Sequence, residues 1–455
     1  MRPDKAIAPS PIIPPGPRAL PLVGHLHYFA RDVLGFFSAC AREHGDVVRL
    51  QVGRWPALLL SNPDDIEQVL VSDHRNFIKN TFFWRQVTAI FGKGLLTSEG
   101  EFWLAQRRLA APAFAGKRLT GYGDVMVRHT HRMLDRWEDQ GVRDLHADMM
   151  SLTLGIAAKT LFDADVEEDV AEIHDAVNML SDEIASRFGR PIVIPDWVPL
   201  PGHVRYRRAL SRIEAVVNRI IHDRRASGGD HGDLLSKLMS AWDETGSPMS
   251  DRQLRDEVIT LLLAGHETTA LALSWTGYLL GQHPEIQEKV ADEIRGVLAG
   301  RSATPDDLSR LAVTTSVITE AMRLYPPAWA IGREALHDCE IGRYRVAAGT
   351  TIYISAWVVH RDPRHFANPS EFQPERWWSD GVRDLPRFAY FPFGGGPRIC
   401  IGNRFAIMEA VLILATVMQR FRLALMSHEP VVPFPTITLR PQGGVHVTLQ
   451  ARSAR

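Results

Sequence analysis

The 455-residue sequence predicts a mainly α fold with small β-sheets, of the α+β class. Three observations predict it. Helix-period apolar patterning runs, with loops, from about residue 62 to about residue 325. Short β-patterned segments stand on either side of that stretch. One central helix is long enough to cross a whole domain.

The elements follow in order. Residues 1–45 hold an extended Pro-rich lead-in, with Pro14-Pro15-Gly16-Pro17 in it, and the first helix. Two strands are predicted at Val47 to Val52 and Ala57 to Leu60, joined by a turn at Gly53-Arg54-Trp55-Pro56. Asn62-Pro63-Asp64-Asp65 opens an amphipathic helix through Val71. Loops are predicted near 79–98, 189–204 and 226–232, and the Pro191 to Pro201 stretch reads as a loop rather than a domain boundary. Ser250 with Gln253 three positions on fits a capping box, and Pro284 stops the helix so begun. Its roughly 32 residues span about 48 Å. β segments return at Cys339 to Val346 and Thr350 to Ser355. A helix covers Asn403 to Phe421, and the last strands fall near Thr436 to Leu439 and Val445 to Leu449. With no internal repeat, residues 1–455 read as one catalytic domain.

Composition narrows the function classes. The chain is 45% hydrophobic and 23% charged, ordinary for a globular protein able to enclose a cofactor. A net charge of −1 gives no sign of a nucleic-acid partner or an anionic membrane. The three cysteines, Cys40, Cys339 and Cys400, are sparse and unpaired in spacing, which fits a reducing cytosol. The N-terminus lacks the apolar core of a signal peptide, and no run of 18 apolar residues occurs. The expectation is a soluble cytoplasmic protein without a membrane anchor.

The chemistry concentrates at Phe393 to Gly402, FGGGPRICIG. Cys400 follows a glycine-rich turn and precedes a helix, whose N-terminal dipole and free N–H groups favour a thiolate. A thiolate so held is a good axial ligand for haem iron. The spacing Phe393-x-x-Gly396-x-Arg398-x-Cys400-x-Gly402 resembles the cysteine-ligand loop of the cytochrome P450 family. The resemblance spans roughly residues 14 to 450, carried by four motifs in the family order.

Within the central helix lies Ala264-Gly265-His266-Glu267-Thr268-Thr269. A glycine there costs about 1 kcal/mol against alanine, and threonines can bond back to the i−4 carbonyl. Taken alone this is as consistent with a satisfied core threonine as with a groove. The segment resembles the family's oxygen-binding groove, where an acid–Thr pair handles protons at bound dioxygen. That implies catalytic roles for Glu267 and Thr268 and a place against the cofactor for Ala264 and Gly265; Thr269 and His266 read as structural. Glu320 and Arg323 share a helix face at i,i+3, and Arg376 lies downstream in Pro-Glu-Arg-Trp. By the resemblance these three form a buried structural network, with Trp377 where phenylalanine is commoner. Trp103 and Arg107 share a face at i,i+4. Alone, Arg107 fits a solvated face. The resemblance implies that Trp103, Arg107, Arg333 and Arg398 hold haem propionates, with Phe393 beside the cofactor, haem b (iron protoporphyrin IX).

The implied activity is a haem-thiolate monooxygenase acting on C–H or C=C bonds of a lipophilic small molecule with O2. A fatty acid, terpenoid, steroid or macrolide all suit an apolar pocket drawn from Phe82, Phe83 and Val87 in the 80–96 loop with Leu263, Ala328 and Ile331. Electrons would come from a ferredoxin and an NAD(P)H-linked ferredoxin reductase, docking near Arg376, Arg398 and Arg404. The rivals are a peroxide-dependent haem-thiolate enzyme and a non-catalytic haem sensor. The Glu267-Thr268 pair argues against the first, and the lack of any output module against the second.

Overall fold

The computed structural model describes residues 13–188, 194, 198, 200–241, 249–378 and 384–452. The expected Pro191 to Pro201 loop and residues 1–12 of the lead-in lie largely outside this set; Pro201 itself opens the helix Pro201–Ser227.

The first hairpin pairs Val47–Val52 with Trp55–Leu60, from Val47 opposite Leu60 to Val52 opposite Trp55. Its turn is therefore only Gly53-Arg54, tighter than the four residues expected, and Gly53 takes the positive φ such a turn needs. Trp55–Leu60 then pairs in parallel with Thr351–Ile354, which pairs with Ile331–Ala335 and through it with Phe77–Ile78. One five-stranded sheet thus draws on segments nearly 300 residues apart, an order that local patterning does not encode. The remaining sheets are small. Cys339–Ile341 and Tyr344–Val346 form a hairpin, and His446–Ala451 joins Val142–Asp144 to Phe421–Leu425.

Between these strands the fold is helical. The central helix is Asp251–Gln282, and the Ser250 side chain accepts from the Gln253 N–H at 3.3 Å, as its sequence requires. This helix is long and apolar enough to cross a membrane, yet its most apolar window is 83% buried within the fold. It packs on Leu145–Phe162, Ala312–Leu324 and Asn403–Arg420. Trp275, wholly buried, stacks on Tyr325 at 4.0 Å and donates its indole N–H to the Leu439 carbonyl at 2.9 Å.

Three local expectations are corrected. Residues 79–98 are not all loop: Phe82–Phe91 is a helix whose N-cap, Thr81, accepts from the Trp84 N–H. The helix opened by Asn62 ends at Glu67 and continues as a wider turn over Gln68–Ser72. The C-terminal strands include Phe421–Leu425, which follows the helix Asn403–Arg420 without a break.

Candidate active site

Most of the predicted catalytic, cofactor and pocket residues gather around one cavity of ≈ 350 Å³, walled mainly by hydrocarbon, between the central helix and the loop before Asn403–Arg420. Cys400 faces it. The turn that delivers Cys400 is held by its own N–H, which donates to the Phe393 carbonyl at 2.9 Å. Gly396 has a φ of 64°, and a Cβ there would fall 1.8 Å from the Leu70 carbonyl oxygen, so only glycine fits. The helix starts at Asn403 with Gly402 as its N-cap, two residues past the sulfur.

The charge state of the free thiol departs from expectation. Burial among protein atoms raises the Cys400 thiol above its ordinary range, and the Gly402 N–H and the Arg107 charge only partly oppose this. The surface that Cys400 does expose faces the cavity. A thiolate here needs a cation on the sulfur, and metal coordination supplies one.

Beside the sulfur four basic side chains line the same cavity: Lys79, Arg107, Arg333 and Arg398. Arg398 pairs with Glu99 and lies 3.9 Å from the Trp103 ring centroid, yet its Nη1 is buried without a partner among the described residues. Arg333 is held down to about 10 by burial and by Arg398. Lys79 is driven well below its ordinary value by burial, then by Arg333 and Arg398, with only Glu99 opposing. The Lys79 ammonium donates to the Leu96 carbonyl at 2.7 Å, a neutral partner. Four basic side chains gathered around one nearby carboxylate, Glu99, make an unfinished electrostatic arrangement, and it calls for buried anions. The two carboxylates of a haem answer that need, and Cys400 offers the iron a ligand on the same cavity, so the residues present fit the group.

On the opposite wall Thr268 donates to the Ala264 carbonyl at 2.9 Å, the i−4 back-bond its sequence position suggested. Both residues line the cavity. Gly265 does not: a Cβ there would approach Ala157 and Leu161 at 3.9 Å, so it faces the neighbouring helix. Glu267 is 7% exposed and reaches the cavity, but it is heavily engaged. Its Oε1 accepts from Thr438 Oγ1 at 2.7 Å and from Arg440 Nε at 2.9 Å. Burial pushes its carboxyl up, and Arg440 and Thr438 together outweigh that, so it sits below the ordinary range. Arg440 in turn donates to the half-exposed Asn178 Oδ1 at 2.7 Å.

Of the expected pocket residues, Phe83, Val87, Leu263, Ala328 and Ile331 line the cavity, as does Phe393. Phe82 is turned elsewhere and stacks on Trp55 at 5.5 Å. Away from the cavity, Glu320 and Arg323 are fully buried and paired at 2.8 Å. Arg376 Nε donates to Glu320 Oε1 at 2.9 Å, and the Trp377 indole donates to Oε2 at 2.8 Å. Trp377 therefore adds a hydrogen bond that phenylalanine could not make. The expected docking arginines divide. Arg376 and Arg398 are committed to Glu320 and Glu99, with side chains 13% and 12% exposed, and only Arg404 is at the surface.

Sequence reasoning did not assign Lys79 to this site, nor Thr438 and Arg440. Arg440 lies 173 residues from Glu267, and no local spacing links the two.

Comparison with known proteins adds three relatives and a family. The sequence profile of the family described as Cytochrome P450 matches residues 14–448. A cyclooctat-9-en-7-ol 5-monooxygenase of Streptomyces melanosporofaciens is 39% identical over 90% of this chain and 88% of its own. A cyclooctatin synthase of the same organism is 37% identical over 93% and 92%. A pentalenene oxygenase of Streptomyces avermitilis is 34% identical over 96% and 97%.

Proposed function

The chain belongs to the cytochrome P450 family and is a haem monooxygenase served by electron-transfer partners, and on that premise we propose that it oxygenates a terpenoid. The reaction takes a C–H or C=C bond, O2, two electrons and two protons to an oxygenated product and water. The names of three relatives point to terpene-derived substrates. The observation that carries the reading is one cavity with a thiol on one wall, a hydroxyl and a carboxylate on another, and hydrocarbon over most of the rest.

Cys400 would ligate the iron of haem b, with Lys79, Arg107, Arg333, Arg398 and Trp103 around the propionates and Phe393 and Ala264 against the ring. When bound, the haem supplies electron transfer and activation of O2, favoured by a thiolate ligand. The chain's own residues do the rest. Phe83, Val87 and Leu263 exclude water and orient the substrate through apolar contact. Thr268 donates its O–H in a hydrogen bond to the Ala264 carbonyl, which leaves its oxygen lone pairs free to accept a hydrogen bond from a water or reactant in the cavity. Glu267, an anion at neutral pH, can take a proton, and Arg440 with Asn178 forms a polar line from it towards solvent. Electrons would come from a ferredoxin and an NAD(P)H-linked reductase in the cytoplasm, with Arg404 on the docking face.

The test reconstitutes the haem-loaded protein with a ferredoxin, its reductase and NADPH, and offers a panel of cyclic terpenes under isotopically labelled O2. One labelled oxygen in the product, dependent on the reductase, is expected. Turnover with peroxide but not with the reductase would contradict the reading.

A further inference from the structure

Glu267 meets its arginine unlike three other buried acids of this chain. Arg323 spreads its fork over both oxygens of Glu320, with Nε on Oε2 at 2.9 Å and Nη2 on Oε1 at 2.8 Å. Arg224 grips Asp233 the same way, Nη1 on Oδ1 at 2.8 Å and Nη2 on Oδ2 at 2.6 Å. Arg301 likewise reaches both oxygens of Asp307 at 2.6 Å. That two-point grip is the favoured geometry of such pairs. Arg440 departs from it. Its Nε and Nη2 both donate to Oε1 of Glu267, and Thr438 Oγ1 donates to the same atom at 2.7 Å. A carboxylate oxygen offers about two lone pairs, so three donors saturate Oε1. Oε2 takes no hydrogen bond among the described residues, yet it is not one of their sealed polar atoms, so it keeps open surface.

Two contacts turn the fork aside. Arg440 Nη1 donates at 2.7 Å to Asn178 Oδ1, on the helix Val170–Phe188. Thr438 occupies Oε1 from the cavity wall, and its own carbonyl accepts from the Thr436 N–H at 2.8 Å and from Thr436 Oγ1 at 3.0 Å. Three histidines surround the pair: His266 on the central helix, His174 on the helix of Asn178, and His146 on Leu145–Phe162. Burial lowers all three, so they are neutral near pH 7. None hydrogen-bonds Glu267 among the described residues; His266 Nδ1 donates to the Leu262 carbonyl at 2.9 Å instead. The hold on this carboxylate is therefore Arg440 and Thr438, and Asn178 sets where Arg440 points.

Resting on the monooxygenase reading, with Glu267 as its proton carrier, we propose that Asn178 and Thr438 are positioning residues that gather every donor on Oε1 and leave Oε2 as the oxygen offered to the cavity. Both act through Glu267. Oε2 takes up one proton that arrives from solvent and gives that proton to a water or reactant in the cavity, and Glu267 returns to the anion. A fork closed over both oxygens would occupy Oε2 and make it a poorer base. Three segments distant in sequence meet here: the central helix, the strand Leu439–Pro441 with Thr438 just before it, and the helix Val170–Phe188. A proton carrier must be held in place to be effective, and this junction supplies the hold.

The experiment pairs two readouts on the haem-loaded protein. Infrared difference spectra, each variant against the same background carrying Glu267→Gln, isolate the Glu267 carboxylate bands. Wild type should show the wide splitting of a carboxylate held through one oxygen. Asn178→Leu should narrow it, because the fork can then close, and Asn178→Asp, which keeps the acceptor, should restore it. With a ferredoxin, its reductase, NADPH and a cyclic terpene that wild type oxygenates, Asn178→Leu should yield roughly three- to tenfold less product per NADPH. The difference should appear as hydrogen peroxide, with substrate affinity unchanged, and Asn178→Asp should recover the coupling. Thr438→Val should also lose coupling, and Thr438→Ser should keep it. Bands or coupling unchanged in Asn178→Leu, or a loss that Asn178→Asp does not repair, overturns the positioning role. A wild type that makes no oxygenated product with the reductase sinks the monooxygenase reading and this role with it, whereas the infrared bands report on Oε2 whatever the turnover.

Discussion

Glu267 and Arg440 form a buried ion pair, each 7% exposed, across 173 residues of chain. Such a pair is costly to break from one side, roughly 3–5 kcal/mol, because the survivor is left charged without a partner. Glu267 is therefore both a candidate proton carrier and a clamp between the central helix and the C-terminal strand Leu439–Pro441. Glu267→Gln should slow turnover and also lower the melting temperature. A variant with unchanged thermal stability would contradict the clamp, and one with unchanged turnover would contradict the carrier.

Thr268→Ala removes a hydroxyl whose only hydrogen bond as donor among the described residues is the back-bond to Ala264. Folding, haem content and the substrate-induced spectral shift should all persist. Reductant should still be consumed, with much of it appearing as hydrogen peroxide instead of product. Coupling as tight as wild type would reduce Thr268 to a packed helix residue.

The basic cluster predicts a graded loss of cofactor. Arg333→Ala, Arg398→Ala and Lys79→Ala should each lower haem retention more than secondary-structure content. Lys79→Ala is the most telling, since this side chain is held near Arg333, Arg398 and Arg107, with Glu99 opposing them. Dilution of haem-loaded protein into apomyoglobin, with transfer followed by absorbance, measures this. Transfer as slow as wild type in all three variants would contradict the assignment.

Two buried acids give a pH signature. Burial raises Glu257 to about 7, and Glu409 to about 8. Thr269 opposes the Glu409 shift but is not within hydrogen-bond geometry of it. Both folded-state values lie above the unfolded ones, so the folded protein holds protons that the unfolded chain releases. The contribution of these groups to stability therefore falls as pH rises from about 4.5 to about 8. His360, which burial lowers to about 3, works in the opposite direction at the acid end. The comparison that isolates the acids is Glu409→Gln against wild type, by denaturant melts across this range. The variant should gain relative stability steadily with pH and level off above about 8. A difference independent of pH would contradict a neutral buried acid.

What the sequence made legible was local. The central helix was readable to its ends because Ser250 caps it and Pro284 follows it. The Cys400 turn was readable because its glycines answer to backbone constraints a few residues away. The helix Phe82–Phe91 was not readable. Its aromatic and β-branched residues have modest helix propensity, and tertiary contacts such as the Trp84 indole donating to the Gly332 carbonyl at 2.9 Å support it. Gly265 was misplaced because sequence shows a weak point in a helix but not the direction it faces. The Arg440 and Lys79 partnerships arise only when segments far apart in sequence come together in the fold.

The central claim is that Cys400 is the iron's protein ligand, and the ferrous–CO spectrum of freshly purified, haem-loaded protein tests it most directly. The account predicts the strongly red-shifted Soret band of a thiolate-ligated haem in wild type and its loss in Cys400→Ser. A wild-type spectrum of the histidine-ligated kind, or a thiolate-type band that survives Cys400→Ser, would contradict it.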